Sequence, residues 1–330
     1  MPKIKKIGVF TSGGDAPGMN AAIRAVVRTA RYYKLEVAGI LRGYEGMIEG
    51  EFVPLKARSV SNIIQRGGTI LKAGRSKRFL EKKWRRQAYE NLKKENIEGV
   101  VAIGGDGTFK GALVFSNEFN IPFIGMPGTI DNDLYGTDFT IGYDTAINTA
   151  VDAIDKIRDT ADSHDRCFFV EVMGRDAGFI ALRSGIASGA EAILIPERKT
   201  KISELITLLK NGKQRGKTSN IVVVAEGDDA GHAFNIADLV KQKLKDFDIR
   251  VVVLGHLQRG GSPTCMDRIL ASRLGVAAVE ALMDGKKNIM VGVQGGKIAY
   301  VPFEKATKHH QEVDPYLLRI ANLLSHPASK

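Results

Sequence analysis

Short runs of consecutive apolar residues alternate along the chain with longer stretches in which apolar residues recur every three or four positions. The short runs are KIGVF (6–10), EVAGIL (36–41), GVVAIG (99–104), PFIGM (122–126), CFFVEV (167–172), AILIP (192–196), NIVVVAEG (220–227) and RVVVLG (250–255). Rich in Val and Ile, they predict parallel strands covered on both faces. Between them, NAAIRAVVRTARYYK and TAINTAVDAIDKIRDTADSH read as helices; in the second, Ile147, Val151, Ile154 and Ile157 share one face. This order predicts an α/β protein with largely parallel sheets. IMVGVQGGKIAYVPF (289–303) predicts a hairpin turning at Gly295–Gly296, and DPYLLRIANLLSH a closing helix with Asp314 as N-cap and Pro315 in the first turn.

No low-complexity linker or short-period repeat divides the 330 residues, a length that accommodates two domains. The helix containing TAINTAVDAIDK is the expected crossing into a second α/β lobe. A content of 44% hydrophobic and 26% charged residues suits a globular protein, and Cys167 and Cys265 alone exclude a disulfide framework. The segment MPKIKKIGVF turns polar too soon for a secretory signal core, and no apolar run approaches the roughly 18 residues of a membrane span. A cytoplasmic protein with no membrane partner is the expectation. The net charge of +11 raises nucleic acid as a partner. The basic residues are dispersed, however, without an aromatic platform or reader helix, and the dense run KKWRR (82–86) reads as a solvated helix face. Small phosphorylated ligands explain the excess instead.

The loops after the strands carry that preference. TSGGDAPGMN follows KIGVF and GDGTFKGA follows GVVAIG, each running into a helix. Ligands of parallel α/β sheets bind beyond the carboxyl ends of the strands, where glycine permits close backbone approach and helix N-termini favour anions. One such loop is accounted for by a tight turn; two point to polyphosphate, although no GxxxxGK[ST] pattern occurs. Asp106 can cap the following helix or hold Mg²⁺ against phosphate oxygens. MPGTIDND (126–133) sets two carboxylates two residues apart beside a hydroxyl, and an Asx-turn accounts for only one of them. Arg24, Arg28 and Arg31 form a basic stripe on the first helix, which solvent alone can accommodate.

Together, TSGGDAPGMNAAIRAVVR, IGGDGT, MPGTIDND, EVMGRDAG and LGHLQRGGSPTCMDRILASRLG, in this order and spacing, resemble the bacterial-type ATP-dependent 6-phosphofructokinases from about residue 4 to about residue 300. The resemblance implies the phosphofructokinase fold, two Rossmann-like α/β lobes with largely parallel sheets. Residues 1–142 plus about 258–308 would bind ATP, and residues 143–257 plus about 309–330 would bind fructose 6-phosphate. It implies phosphoryl transfer to the sugar 1-hydroxyl, with Mg²⁺, in a homotetramer with shared active sites. Asp131 is then the base, Asp133 supports the charge arrangement, and Thr129 and Ile130 line the substrate. Arg175 faces the migrating phosphoryl group.

By the same resemblance Arg166, Arg250, His256 and Arg259 hold the 6-phosphate, the first two reaching in from a neighbouring subunit. These arginines are expected at strand ends or adjoining turns. Glu226 would bond sugar hydroxyls, with Met173 and Gly174 near the ring. Gly14, Tyr44, Arg75, Ser76, Gly105, Asp106, Gly107 and Thr108 match the ATP site, Asp106 as the Mg²⁺-associated carboxylate. Diphosphate-using relatives carry aspartate in place of Gly107 and lysine in place of Gly128. Glycine at both favours ATP and leaves the diphosphate-dependent enzyme as the alternative. An effector pocket for a nucleotide or phosphoenolpyruvate matches Arg24, Arg28, Arg158, Gly189, Glu191, Arg215 and Lys217. There Arg58 stands one place later than the family's arginine, and Asn62 replaces a common aspartate. A third reading is a catalytically weak phosphometabolite sensor that keeps the fold and effector site; Asp131, Asp106 and Arg175 together argue against it.

Overall fold

The computed structural model describes residues 4–325. In chain order it contains β1 (Lys6–Thr11), α1 (Met19–Tyr32), β2 (Glu36–Ile40), α2 (Tyr44–Glu49), β3 (Phe52–Pro54), α3 (Lys82–Lys94), β4 (Gly99–Gly104), α4 (Asp106–Phe119), β5 (Phe123–Pro127) and α5 (Tyr143–Ser163). There follow β6 (Arg166–Val172), α6 (Phe179–Ala187), β7 (Ala192–Leu194), α7 (Ile202–Gln214), β8 (Asn220–Ala225), α8 (Ala233–Lys243) and β9 (Asp248–Val253). The last elements are α9 (Cys265–Met283), β10 (Ile289–Gln294), β11 (Lys297–Pro302), α10 (Phe303–Ala306) and α11 (Pro315–Ser325). Two compact units result. The first comprises the chain up to Ile130, Leu134–Thr145 and Arg259–Gln311; the second comprises Asp131–Asp133, Ala146–Gln258 and the chain from Glu312.

In the first unit the strand order is β11-β10-β5-β4-β1-β2-β3, parallel except for the antiparallel edges β3 and β11. Its core includes the rings of Phe10, Tyr44, Phe79, Phe115 and Phe123. Tyr44 stacks on Phe79 at 3.9 Å between centroids. In the second unit the order is β7-β8-β6-β9, all parallel, over a core of Phe169, Val222, Val224, Leu205, Leu209 and Ile236.

The eight predicted strands all form, but not all are covered on both faces. β4 and β8 are buried throughout, whereas edge strand β9 exposes Asp248 and Arg250 around buried Ile249. Asp248 and Arg250, two residues apart, share a face of the sheet that is left uncovered there, while Ile249 points to the core. β3 escapes the apolar pattern because it is three residues long and ends in proline on an edge, where the missing N–H costs nothing. On α5 the fully buried stripe is Ala146, Ala150, Ile154 and Ala161; Ile147, Val151 and Ile157 flank it half-buried. Small alanines on that face let the helix pack closely.

The hairpin turns as expected, with φ of 54° at Gly295 and 78° at Gly296, the left-handed pair a two-residue turn demands. Asp314 Oδ1 accepts from Tyr316 N at 2.8 Å at the start of α11, while His326 of the predicted helix lies outside the described residues. KKWRR is not simply a solvated face. Arg85 is buried, with Nε and Nη2 each 2.7 Å from a Glu118 carboxylate oxygen and Nη1 on the Phe79 and Leu80 carbonyls.

Asp267 holds the start of α5 from the first turn of α9. Its buried carboxylate accepts from Gly142 N at 2.8 Å, Thr145 N at 2.9 Å and Thr145 Oγ1 at 2.5 Å. Burial raises its pKa above the ordinary aspartate value, and the hydrogen bonds from Thr145 and Gly142 oppose part of the rise. A raised folded-state value means stability is gained at acid pH and lost as pH climbs through that value. Asp267→Ala should destabilise by about 3 kcal/mol, since three donors lose a buried acceptor. In denaturant melts the deficit relative to the parent should narrow as pH rises from the ordinary aspartate value upward; a deficit independent of pH would mean Asp267 does not titrate with folding.

Candidate active site

In the first unit β1 and β4 are parallel neighbours, Thr11 opposite Ile103, so the TSGGDAPGMN and GGDGT loops leave the same end of the sheet. Gly105 is the N-cap of α4 and Asp106 its first residue, so Asp106 does not cap the helix. Its carboxylate instead pairs with Lys110 one turn on, at 2.7 Å. A side chain on Gly105 would lie 3.8 Å from Thr129 Cβ, which places Thr129 beside GGDGT.

The two glycines expected to favour ATP, Gly107 and Gly128, have different surroundings. At Gly107 a side chain would meet no protein atom within 4 Å, and the backbone is not left-handed. The protein itself has no need of glycine there. At Gly128 a Cβ would press on Ile103 Cγ2 at 2.9 Å and Met19 Cε at 3.3 Å, so here the packing of the protein itself favours glycine.

Tyr44 is a buried support: its hydroxyl donates to Thr108 O at 2.5 Å, and burial pushes its pKa well above the ordinary tyrosine value. Ser76 Oγ donates to Glu45 Oε2 at 2.5 Å and accepts from Phe79 N, and Arg75 is exposed. The loop carrying both is fastened by residues that sequence patterns alone pass over. Buried Asn20 donates to the carbonyls of Arg66 and Gly67 at 3.1 Å and accepts from Ile70 N at 2.7 Å. Thr11 Oγ1 donates to Lys72 O at 2.8 Å, and Ser12 Oγ to Gly74 O at 3.3 Å. The available signal was an amide on the apolar face of the first helical turn. Arg259 also belongs to this unit, its Nη1 on Asp15 O at 3.2 Å and its guanidinium filling the space a side chain at Gly14 would need.

In the second unit Met173, Gly174 and Arg175 turn away from the end of β6. Gly174 has φ 147° and Arg175 φ 52°, left-handed for a bulky residue, which costs roughly 1–3 kcal/mol. Glu226, just past β8, offsets that by accepting from Arg175 N at 2.7 Å. The outcome is that Arg175 Nε lies 3.4 Å from Asp131 Oδ2, and Asp131 is only 2% exposed. Asn132 beside it is buried in a left-handed conformation, and Asp133 is half-buried. Thr129 is half-buried and Ile130 fully buried, with Thr140 Oγ1 donating to Thr129 O at 2.6 Å.

Arg166 and Arg250, the two residues expected to reach the 6-phosphate of a neighbouring subunit, stand together on Asp248. Arg166 opens β6, and Arg250 lies inside β9 rather than at its end. Both hold Asp248, at 2.8 Å from Arg166 Nε and 3.0 Å from Arg250 Nε, so Arg166 and then Arg250 keep that carboxyl below its ordinary range. They therefore stand toward the amino ends of strands whose carboxyl ends lead to Arg175 and His256. His256 is exposed within the 3₁₀ segment Gly255–Arg259.

Four of the expected effector residues, Gly189, Glu191, Arg215 and Lys217, line one cavity of about 400 Å³ in the second unit, with Leu208 and Asn220. Lys217 pairs with Glu191, and Arg158 grips the carbonyls of Ser188 at 2.7 Å and Gly189 at 3.0 Å. Arg24, Arg28 and Arg58 belong to the first unit, Arg24 half-buried and the others exposed.

Comparison with known proteins decides the family, because the model of the family described as Phosphofructokinase matches residues 6–282. The chain belongs to the phosphofructokinase family. Within that family it is similar to ATP-dependent 6-phosphofructokinase 2 of Bacteroides thetaiotaomicron, 57% identical over 98% of this chain and 100% of that protein. ATP-dependent 6-phosphofructokinase 1 of Thermus thermophilus is also 57% identical, over 98% of this chain and all of the relative. Among solved structures, the phosphofructokinase of Saccharomyces cerevisiae matches with a TM-score of 0.87 at 37% identity, covering 92% of this chain and 45% of the yeast chain. The fold, two α/β units with largely parallel sheets, is thus the phosphofructokinase fold. Among the described residues no helix is long and apolar enough to cross a membrane.

Proposed function

We propose that the chain is an ATP-dependent 6-phosphofructokinase, transferring a phosphoryl group from ATP to the 1-hydroxyl of fructose 6-phosphate in glycolysis to give fructose 1,6-bisphosphate. The observation that carries this reading is 57% identity across the whole of two relatives named for that activity. The geometry supplies a chemical reason. Asp131 accepts the proton of the attacking hydroxyl, and Arg175, 3.4 Å away, both offsets the cost of a buried carboxylate and faces the transferring group. Thr129, Ile130 and Asp133 shape the approach of the sugar. Glu226 fixes the Arg175 turn and bonds sugar hydroxyls with its remaining acceptor, while Met173 and Gly174 pack by the ring.

Gly14, Tyr44, Arg75, Ser76 and Gly105–Thr108 form the donor side, where the first-turn N–H groups of α4 favour phosphate. The open space at Gly107 leaves room for a nucleotide where a side chain would intrude, which supports ATP rather than diphosphate. Among the described residues no group of three or more His, Cys, Asp or Glu could hold a metal alone. Asp106 as a single carboxylate nevertheless fits Mg²⁺, which commonly takes most of its ligands from phosphate and water. Bound with ATP, Mg²⁺ would supply neutralisation of the phosphate oxygens.

His256 and Arg259 would serve the 6-phosphate, completed by Arg166 and Arg250 of a neighbouring copy in a cytoplasmic homotetramer. The lined cavity at Glu191, Arg215 and Lys217, with Arg158 at its rim and Arg24, Arg28 and Arg58 of another copy, would take an anionic nucleotide or phosphoenolpyruvate. A coupled assay of fructose 1,6-bisphosphate formation tests the reading. Turnover with Mg²⁺ and ATP should exceed turnover with diphosphate by about 10²-fold or more. Equal or faster use of diphosphate would transfer the chain to the diphosphate-dependent branch.

A further inference from the structure

Gln258 is an inversion of the usual rule. In the 3₁₀ segment Gly255–Arg259 its amide is 0% exposed, while its neighbour Leu257 is 70% exposed. An apolar side chain in water and an uncharged polar one in the interior is the reverse of what stability selects. One half of the amide is well employed, because Oε1 accepts from Met173 N at 2.9 Å. That bond also fixes which end of the amide is oxygen. The other half, Nε2, is buried with no hydrogen-bond partner among the described residues. A buried donor left unpaired opposes folding, so the glutamine is a poor choice for stability at this place.

We propose that Gln258 is a positioning residue for the sugar phosphate, locking the turn that carries Arg175 to the segment that carries His256. The Met173–Arg175 turn is left-handed at Arg175 and needs restraint at both ends. Glu226 restrains Arg175 N from one side and Gln258 restrains Met173 N from the other. The bond ties two functional stretches 85 residues apart in sequence. Without it the turn relaxes toward an ordinary backbone conformation, and Arg175 Nε leaves its place 3.4 Å from Asp131. The donor residues lie in the other unit and are untouched by that bond.

Gln258→Met keeps the length of the side chain and removes both the acceptor and the unpaired donor. It should lower kcat/KM for fructose 6-phosphate by about tenfold, the scale of one hydrogen bond, and leave the KM for ATP within about twofold. The thermal midpoint should stay near the parent's, because the variant exchanges one buried unpaired donor, Gln258 Nε2, for another, Met173 N. Gln258→Glu, which retains an acceptor for Met173 N, should keep more of the sugar-phosphate kcat/KM than the methionine variant. The inference is overturned if Gln258→Met matches the parent in sugar-phosphate kcat/KM, or if both KM values and the thermal midpoint deteriorate together as a purely structural role requires. It rests on the fructose 6-phosphate reading, and the parent separates the two: an inactive parent removes that reading, whereas an active parent with an equally active Gln258→Met removes Gln258 alone.

Discussion

Asp131→Asn should lower kcat by about 10²–10⁴-fold, the usual worth of a positioned general base, while the KM for fructose 6-phosphate stays within about tenfold. Asparagine has the same shape and can still accept a hydrogen bond, but it cannot take the proton of the sugar hydroxyl. The separation of kcat from KM follows from the geometry. Asp131 is 2% exposed and lies against Arg175, a place suited to one reacting hydroxyl rather than to gripping a phosphate. Burying a carboxylate is expensive unless a cation and hydrogen bonds offset it, and that cost is hard to explain by stability alone. Steady-state kinetics with saturating Mg²⁺ and ATP give both constants. If the variant turns over at the parental rate, another group takes the proton, and the role of the Arg175 turn must be reassigned with it. A rise in KM with kcat intact would instead make Asp131 a binding residue.

How much of this was legible beforehand depends on the range of the interactions. The parallel strands were readable because a strand covered on both faces must be apolar at successive positions, as in GVVAIG and NIVVVA. The hairpin at Gly295–Gly296 was readable because two left-handed residues in a row nearly require glycine. Loops that end strands advertise chemistry when they combine glycine with charge, so the GGDGT and MPGTIDND segments stood out. What stayed hidden depends on partners far along the chain. Arg85 looks solvated in KKWRR until Glu118 is brought to it, and Asn20 looks like a defect in α1 until the 66–70 segment folds over it. Gln258 sits within a stretch that displays its arginine and glycines, and only Met173 explains it. Strand direction, which no local motif displays, sets Arg166 and Arg250 apart from Arg175 within one copy.

That separation makes a strong prediction about assembly. β6 carries Arg166 at its start and Val172 at its end, six residues apart, or roughly 20 Å along a strand. An arginine side chain does not span that distance, so Arg166 cannot serve the site at the carboxyl end of its own strand. Arg250, in register with Phe168 and tied to the same Asp248, stays with Arg166 at that amino end. If both nevertheless hold the 6-phosphate, they do so in a neighbouring copy. Subunits carrying Asp131→Asn and subunits carrying Arg250→Ala should each be weak enzymes at low fructose 6-phosphate, the second through a lost charged contact of about 1.5–3 kcal/mol. Co-refolded or co-expressed in equal amounts, they should regain activity that neither shows alone. An intact site needs Asp131 from one parent and Arg250 from the other, which random mixing provides in about one quarter of sites. Recovery near that fraction establishes that the two residues act across a subunit boundary. A mixture no more active than the average of its components would mean that Arg250 does not serve a neighbouring copy's site, and since strand geometry keeps it from its own, another cation would have to hold the phosphate.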